Sequence, residues 1–124
     1  MLIRDFLNIL LDDTLEEARL RQARGGGALA FAGAERAVEE CREALRGDGM
    51  AAAMRALLAE ARAAAAVAAG QPDEPFWFAR EMHVEWIAQV VSVVLMTVRA
   101  EAILPPTRGA AMEAARLIGL APGR

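Results

Sequence analysis

The sequence predicts an all-α fold: an up-down bundle of four main helices plus a short C-terminal helix, in a single domain over residues 1–124. Three observations point there. Alanine accounts for 29 of the 124 residues, and β-branched residues are few outside one valine-rich stretch, a balance that favours helix over sheet. Glycine and proline gather at a few places and divide the chain into segments of helical length. Within those segments the bulky apolar residues recur at steps of three and four.

The first helix is predicted from Leu2 to about Arg24. Leu2, Ile3, Phe6, Leu7, Ile9, Leu10 and Leu11 cover more than half of its circumference, wider than one core face needs. Thr14 and Glu17 have the spacing of a capping box, which could restart the helix after Asp12 and Asp13. The continuous stripe of Leu7, Leu11, Leu15 and Ala18 favours one unbroken helix. Gly25, Gly26 and Gly27 end it, since three glycines are too costly in backbone entropy to sit inside a helix.

The second helix is predicted over Ala28–Arg46. Phe31, Ala34, Val38, Cys41 and Leu45 draw a narrow core stripe, and charged residues fill the other side. Gly47, Asp48 and Gly49 form a turn, with Asp48 as N-cap of a third helix over Met50–Ala69. Met50, Met54, Leu57, Ala61 and Ala65 share one face of that helix. Its second half, ARAAAAVAA, buries little but methyl groups and suits close approach to a neighbour. After Gly70, Asp73 is predicted as N-cap of the fourth helix, with Pro75 in its first turn.

That fourth helix dominates the chain. Phe76 to Leu104 contains no Gly or Pro and holds both tryptophans; as a helix it would extend roughly 43 Å. Between Trp86 and Val98 only Gln89, Ser92 and Thr97 interrupt the apolar residues, so a wide polar face is missing. Such a helix must be enclosed by its own chain, by a second copy or by lipid. The run is 13 residues, short of the ~20 that a membrane span needs. Pro105 and Pro106 stop the helix, and Thr107 caps a last short one to about Ile118.

Composition removes several function classes. The net charge is −3, with acids and arginines interleaved. Nucleic-acid binding requires cations gathered on one face, and none are gathered here. A membrane-surface role lacks its cationic amphipathic helix. One cysteine, Cys41, rules out an internal disulfide framework and a multi-thiolate metal site. The N-terminal stretch lacks the charge pattern and cleavage site of a signal peptide. The expectation is a soluble, cytoplasmic protein with no nucleic-acid or membrane partner.

The candidate chemistry is sparse. His83, the single histidine, is flanked by Glu81 and Glu85, but residues two apart on a helix point apart and cannot converge on one ion. His83 is expected to be half-exposed near the helix start. Ser92 is expected to bond a carbonyl one turn back. Cys41 on its core stripe is expected to behave as a small hydrophobe. The triple glycine lacks the Lys and Ser or Thr that a phosphate loop would carry.

The sharpest constellation is the acidic run of the second helix. Glu39, Glu40 and Glu43 form an E-E-x-x-E pattern with Glu40 and Glu43 on one side, and carboxylates so placed can bind Mg²⁺. Here the sequence resembles the MazG-type all-α nucleoside triphosphate pyrophosphatases, which pair E-x-x-E on one helix with E-x-x-D on the next. Glu40 and Glu43 match the first half. For the second half the nearest carboxylate is Glu60, followed at the required place by Ala63 rather than Asp. The resemblance implies Mg²⁺-dependent release of pyrophosphate, with Glu39, Glu40 and Glu43 as catalytic residues.

The residues themselves favour another function: protein–protein contact by a homo-oligomeric adaptor or accessory protein, with no cofactor and no metal. Its predicted interface anchors are Phe6, Phe76, Trp77, Trp86, Val90 and Val94, side chains able to supply large contact area. Binding of a small apolar ligand between the helices is a third possibility.

Overall fold

The structure, a computed structural model, describes residues 3–99. Four helices follow one another: α1 (Ile3–Ala23), α2 (Ala28–Ala44), α3 (Met50–Ala68) and α4 (Glu74–Arg99). Their limits fall where the glycines predicted them. The predicted end of the long helix at Leu104 and the short helix to Ile118 lie outside the described residues. No described helix is long and apolar enough to cross a membrane.

α1 is continuous through Asp12, Asp13 and Thr14. Thr14 does not restart it. Its hydroxyl donates to the Leu10 carbonyl at 2.8 Å, one turn back, and accepts the Trp86 indole N–H from α4 at 3.4 Å. The helix ends at Gly25, whose φ of 102° suits glycine. The Gly26 amide then returns to the Arg21 carbonyl at 2.9 Å, closing the last turn.

One predicted cap differs. The N-cap of α3 is Gly49, without a side-chain cap bond, and the Asp48 carboxylate lies 3.9 Å from Arg4 of α1. Asp73 holds the predicted N-cap position of α4: its carbonyl accepts the Phe76 and Trp77 amides at 3.0 and 3.4 Å, while its carboxylate accepts the Trp77 indole N–H at 2.8 Å.

The helices alternate in direction, as their short connections require. Arg4 near the start of α1 donates to the Leu45 carbonyl at 2.9 Å and to Gly47 at 3.3 Å, so a cation meets the C-terminal end of α2. Farther along, Arg42 of α2 reaches Asn8 and Asp12 of α1. α2 and α4 share the most extensive interface, and α1 and α3 scarcely touch. In an up-down bundle α2 and α4 run parallel, and here they form the short diagonal.

Small side chains make that diagonal short. Gly33 lies against the backbone of Phe76, where a Cβ would overlap the Phe76 carbonyl oxygen. Ala34 and Ala37, on the same side of α2, are fully buried. Beyond this crossing the core widens to take Phe6, Leu10 and Leu11 of α1, Val38 and Cys41 of α2, Met54 of α3, and Val84, Ile87 and Val91 of α4. The chain thus encloses one side of the long apolar helix itself.

Candidate functional site

At the level where three helices converge, the core contains a charge. Arg80 of α4 is 0% exposed. It lies on the same line of α4 as Val84, Ile87 and Val91, which face the core, so helical geometry aims it inward. Its Nε donates to Glu40 Oε1 at 2.6 Å and its Nη2 to Glu40 Oε2 at 3.1 Å. On the other side Nη2 donates to Glu60 Oε1 at 2.9 Å, and Nη1 pairs with Glu60 Oε2 at 2.7 Å. The guanidinium also stands 5.5 Å from the centre of the Trp77 ring, a cation–π distance. Arg36 adds a second cation beside Glu40, at 3.4 Å.

The electrostatics follow from these bonds. Arg80 hydrogen bonding holds the Glu60 carboxyl below its ordinary value. The two carboxylates push the Arg80 pKa above that of an isolated guanidinium, against the opposing effect of burial. Arg80 therefore stays charged and joins α2, α3 and α4.

This arrangement bears on the acidic run. Glu40 and Glu60 are brought together, and the cation between them is a guanidinium. Glu39 is exposed; Glu43 turns outward and pairs with Arg46 at 3.2 Å. Glu39, Glu40 and Glu43 thus have separate surroundings. Among the described residues no group of three or more His, Cys, Asp or Glu side chains is gathered to hold a metal ion.

His83 is buried, not half-exposed as predicted. It faces a cleft of about 130 Å³ between α1, α2 and α4, lined by Ala18, Phe31, Ala34, Ala79 and Met82. Its Nδ1 is 2.7 Å from the Ala79 carbonyl and its Nε2 is 3.3 Å from Arg21 Nη1. A carbonyl can only accept and a guanidinium can only donate. The proton therefore sits on Nδ1, and Nε2 accepts from Arg21. Burial is the main cause that lowers the His83 pKa, with Arg21 acting in the same direction against the Ala79 bond. Cys41 is buried as expected, and burial, followed by the nearby Glu40 charge, raises its thiol pKa. Ser92 lies on the exposed side of α4 instead of bonding inward; Thr97 makes the backward bond, to the Val93 carbonyl at 2.9 Å.

Of the predicted interface anchors, Phe6, Trp86, Val90 and Val94 are no more than 5% exposed and belong to the core of this chain. That burial leaves them little area to offer a partner. Phe76 and Trp77 are half-buried and pack edge to face, with centroids 4.8 Å apart.

What faces outward is another side of α4. Phe78, 59% exposed, and Met96, 67% exposed, stand near its two ends. Gln89 and Ser92 lie exposed between them. Beside Met96, the seam between α3 and α4 opens into a groove of about 290 Å³ lined by Met54, Arg55, Leu58 and Leu95 among others. The chain matches no protein-family model, no curated protein and no solved structure.

Proposed function

We propose that this bundle acts through protein–protein contact, as a homo-oligomeric adaptor or accessory protein of the cytoplasm, and that the outer side of α4 is its docking surface. The observation that carries this reading is the chemistry of that side. The solvent face of a helix is ordinarily charged, and α2 follows the rule with Glu35, Arg36, Glu39 and Glu43. The line of α4 from Phe78 through Met82, Glu85, Gln89 and Ser92 to Met96 carries a single charge, Glu85, which is paired with Arg62 of α3 at 3.6 Å. Exposed apolar side chains at its ends, a middle whose one charge is paired and an adjoining, largely apolar groove suit contact with another protein surface.

Light scattering behind a sizing column, over a hundredfold range of concentration, tests the reading. The expected result is a mass above that of one chain, reduced by Met96→Glu. A monomer at every concentration would withdraw self-association. The alternative, Mg²⁺-dependent nucleotide hydrolysis, would require Glu40 and Glu60 to exchange Arg80 for the metal. Magnesium-dependent pyrophosphate release from nucleoside triphosphates, abolished by Glu40→Gln, would favour it.

A further inference from the structure

The outer side of α4 has a projection at one end and a recess at the other. Phe78 projects near the N-terminal end. The groove beside Met96, between α3 and α4, opens near the C-terminal end. The 18 residues between them span roughly 27 Å of helix. Positions 78, 82, 85, 89, 92 and 96 alternate steps of four and three, the spacing that keeps one seam straight along a helix.

Resting on the contact surface proposed above, we infer that the groove receives Phe78 of a second copy of this chain, in a two-fold antiparallel contact of α4 against α4 centred near residue 87. A two-fold contact is self-complementary, so one patch must hold both the inserted group and its receptacle. The antiparallel register supplies both at once. It sets Phe78 opposite Met96, Met82 opposite Ser92, and Glu85 opposite Gln89. The aromatic ring then meets a thioether, a favourable pairing, and each stripe carboxylate meets an amide that can donate to it. A parallel contact would instead oppose Phe78 to Phe78 and Glu85 to Glu85, leaving both grooves unfilled.

Charge on the flank supports the same register. Glu81, Ala88, Ser92 and Leu95 fall on one line of α4, at steps of seven, four and three, and the last three line the groove. Glu81 is therefore on the α3 side. An antiparallel two-fold contact keeps that side of one copy against the same side of the other. Glu81 of the second copy, one turn beyond its Phe78, then approaches Arg55, an exposed cation at the groove edge.

Cysteine pairing tests the register. Cys41, the only native cysteine, is fully buried, so introduced thiols are the reactive ones. Met82→Cys and Ser92→Cys are prepared separately, checked for helicity by circular dichroism, and oxidised mildly alone and as a mixture. The protein is held at ~100 μM, because one helix pair buries less than the ~800 Å² per partner of a standard interface. The expected result is a disulfide-linked dimer in the mixture only. In the full chain Phe78→Ala, at an exposed site, should weaken the dimer measured by light scattering at least ~10-fold. A disulfide in each variant alone would show a parallel contact and overturn the register. A dimer by light scattering without the mixed disulfide would overturn the register but leave self-association standing. A monomer would overturn both.

Discussion

Arg80 and Glu40 make a two-point pairing across the short diagonal of the bundle, Nε to Oε1 at 2.6 Å and Nη2 to Oε2 at 3.1 Å. Two parallel bonds fix the relative orientation of α2 and α4 as well as their distance. Glu60 extends the pairing to α3, but its side chain is 60% exposed where that of Glu40 is 25% exposed. The two carboxylates should therefore differ in their effect on stability.

Arg80→Ala leaves Glu40 without its principal partner and is expected to cost about 3 kcal/mol. Glu60→Gln, at a screened site, should cost less than ~1 kcal/mol. Glu40→Gln should lie between them and exceed Glu60→Gln. Urea unfolding of the three variants measures the order; equal losses at Glu40 and Glu60 would contradict the asymmetric triad. Replacing Arg80 by Met tests a separate point. A well-packed apolar side chain accompanied by Glu40→Gln should recover part of the loss, because the desolvation cost of a buried ion pair can exceed its Coulombic gain.

Gly33 should tolerate no side chain. A Cβ there would overlap the Phe76 carbonyl, and backbone cannot yield as a side-chain tip does. Gly33→Ala relieves the helix-propensity cost of glycine, about 1 kcal/mol, yet forces α2 and α4 apart. The net expectation is a loss of about 2 kcal/mol, in the range of overpacked cores. Thermal unfolding checks the sign. An unchanged or higher melting temperature would show that the crossing can open at little cost.

Much of this arrangement was legible in the sequence. Glycine at 25–27, 47, 49 and 70 marked the helix limits to within one or two residues, because local backbone preference decides where helices stop. The unbroken α1 followed from the stripe of Leu7, Leu11, Leu15 and Ala18. The triad was missed although its signal was present: Arg80, Val84, Ile87 and Val91 lie at one helical spacing, and Arg80 was not read as part of that stripe. The meeting of Glu40 with Glu60 joins two helices through a third, and spacing along the chain does not carry such a relation. The burial of His83 depends on α1 and the start of α2 packing over it, which its place near the start of α4 does not reveal.

Cys41 should be inert in the folded protein. It is fully buried, and its thiol pKa is raised by desolvation and by Glu40, whereas the thiolate is the reactive form. Labelling with a maleimide at pH 7 should be at least ~100-fold slower than in urea, following the population of opened molecules. Native labelling at the unfolded rate would place the thiol at the surface.

His83 should make folding sensitive to mild acid. In the folded chain Nδ1 donates to Ala79 and Nε2 accepts from Arg21, so the ring is neutral and its pKa lies below the ordinary 6.5. The unfolded chain takes up the proton near 6.5. Between that value and the lower folded one, the unfolded state binds more protons, so stability is fully present above about pH 7 and falls as the pH drops. The slope approaches ~1.4 kcal/mol per pH unit for this one group. Added charge would also set an imidazolium against the Arg21 guanidinium. Urea midpoints measured from pH 7.5 to 5 should decline for the native chain, and His83→Gln should flatten the decline even if its stability at pH 7.5 is lower. Carboxylates titrate in both proteins, so the difference between the two curves isolates His83. Parallel curves would mean that the imidazole can charge in place, with Arg21 swinging away into the cleft mouth.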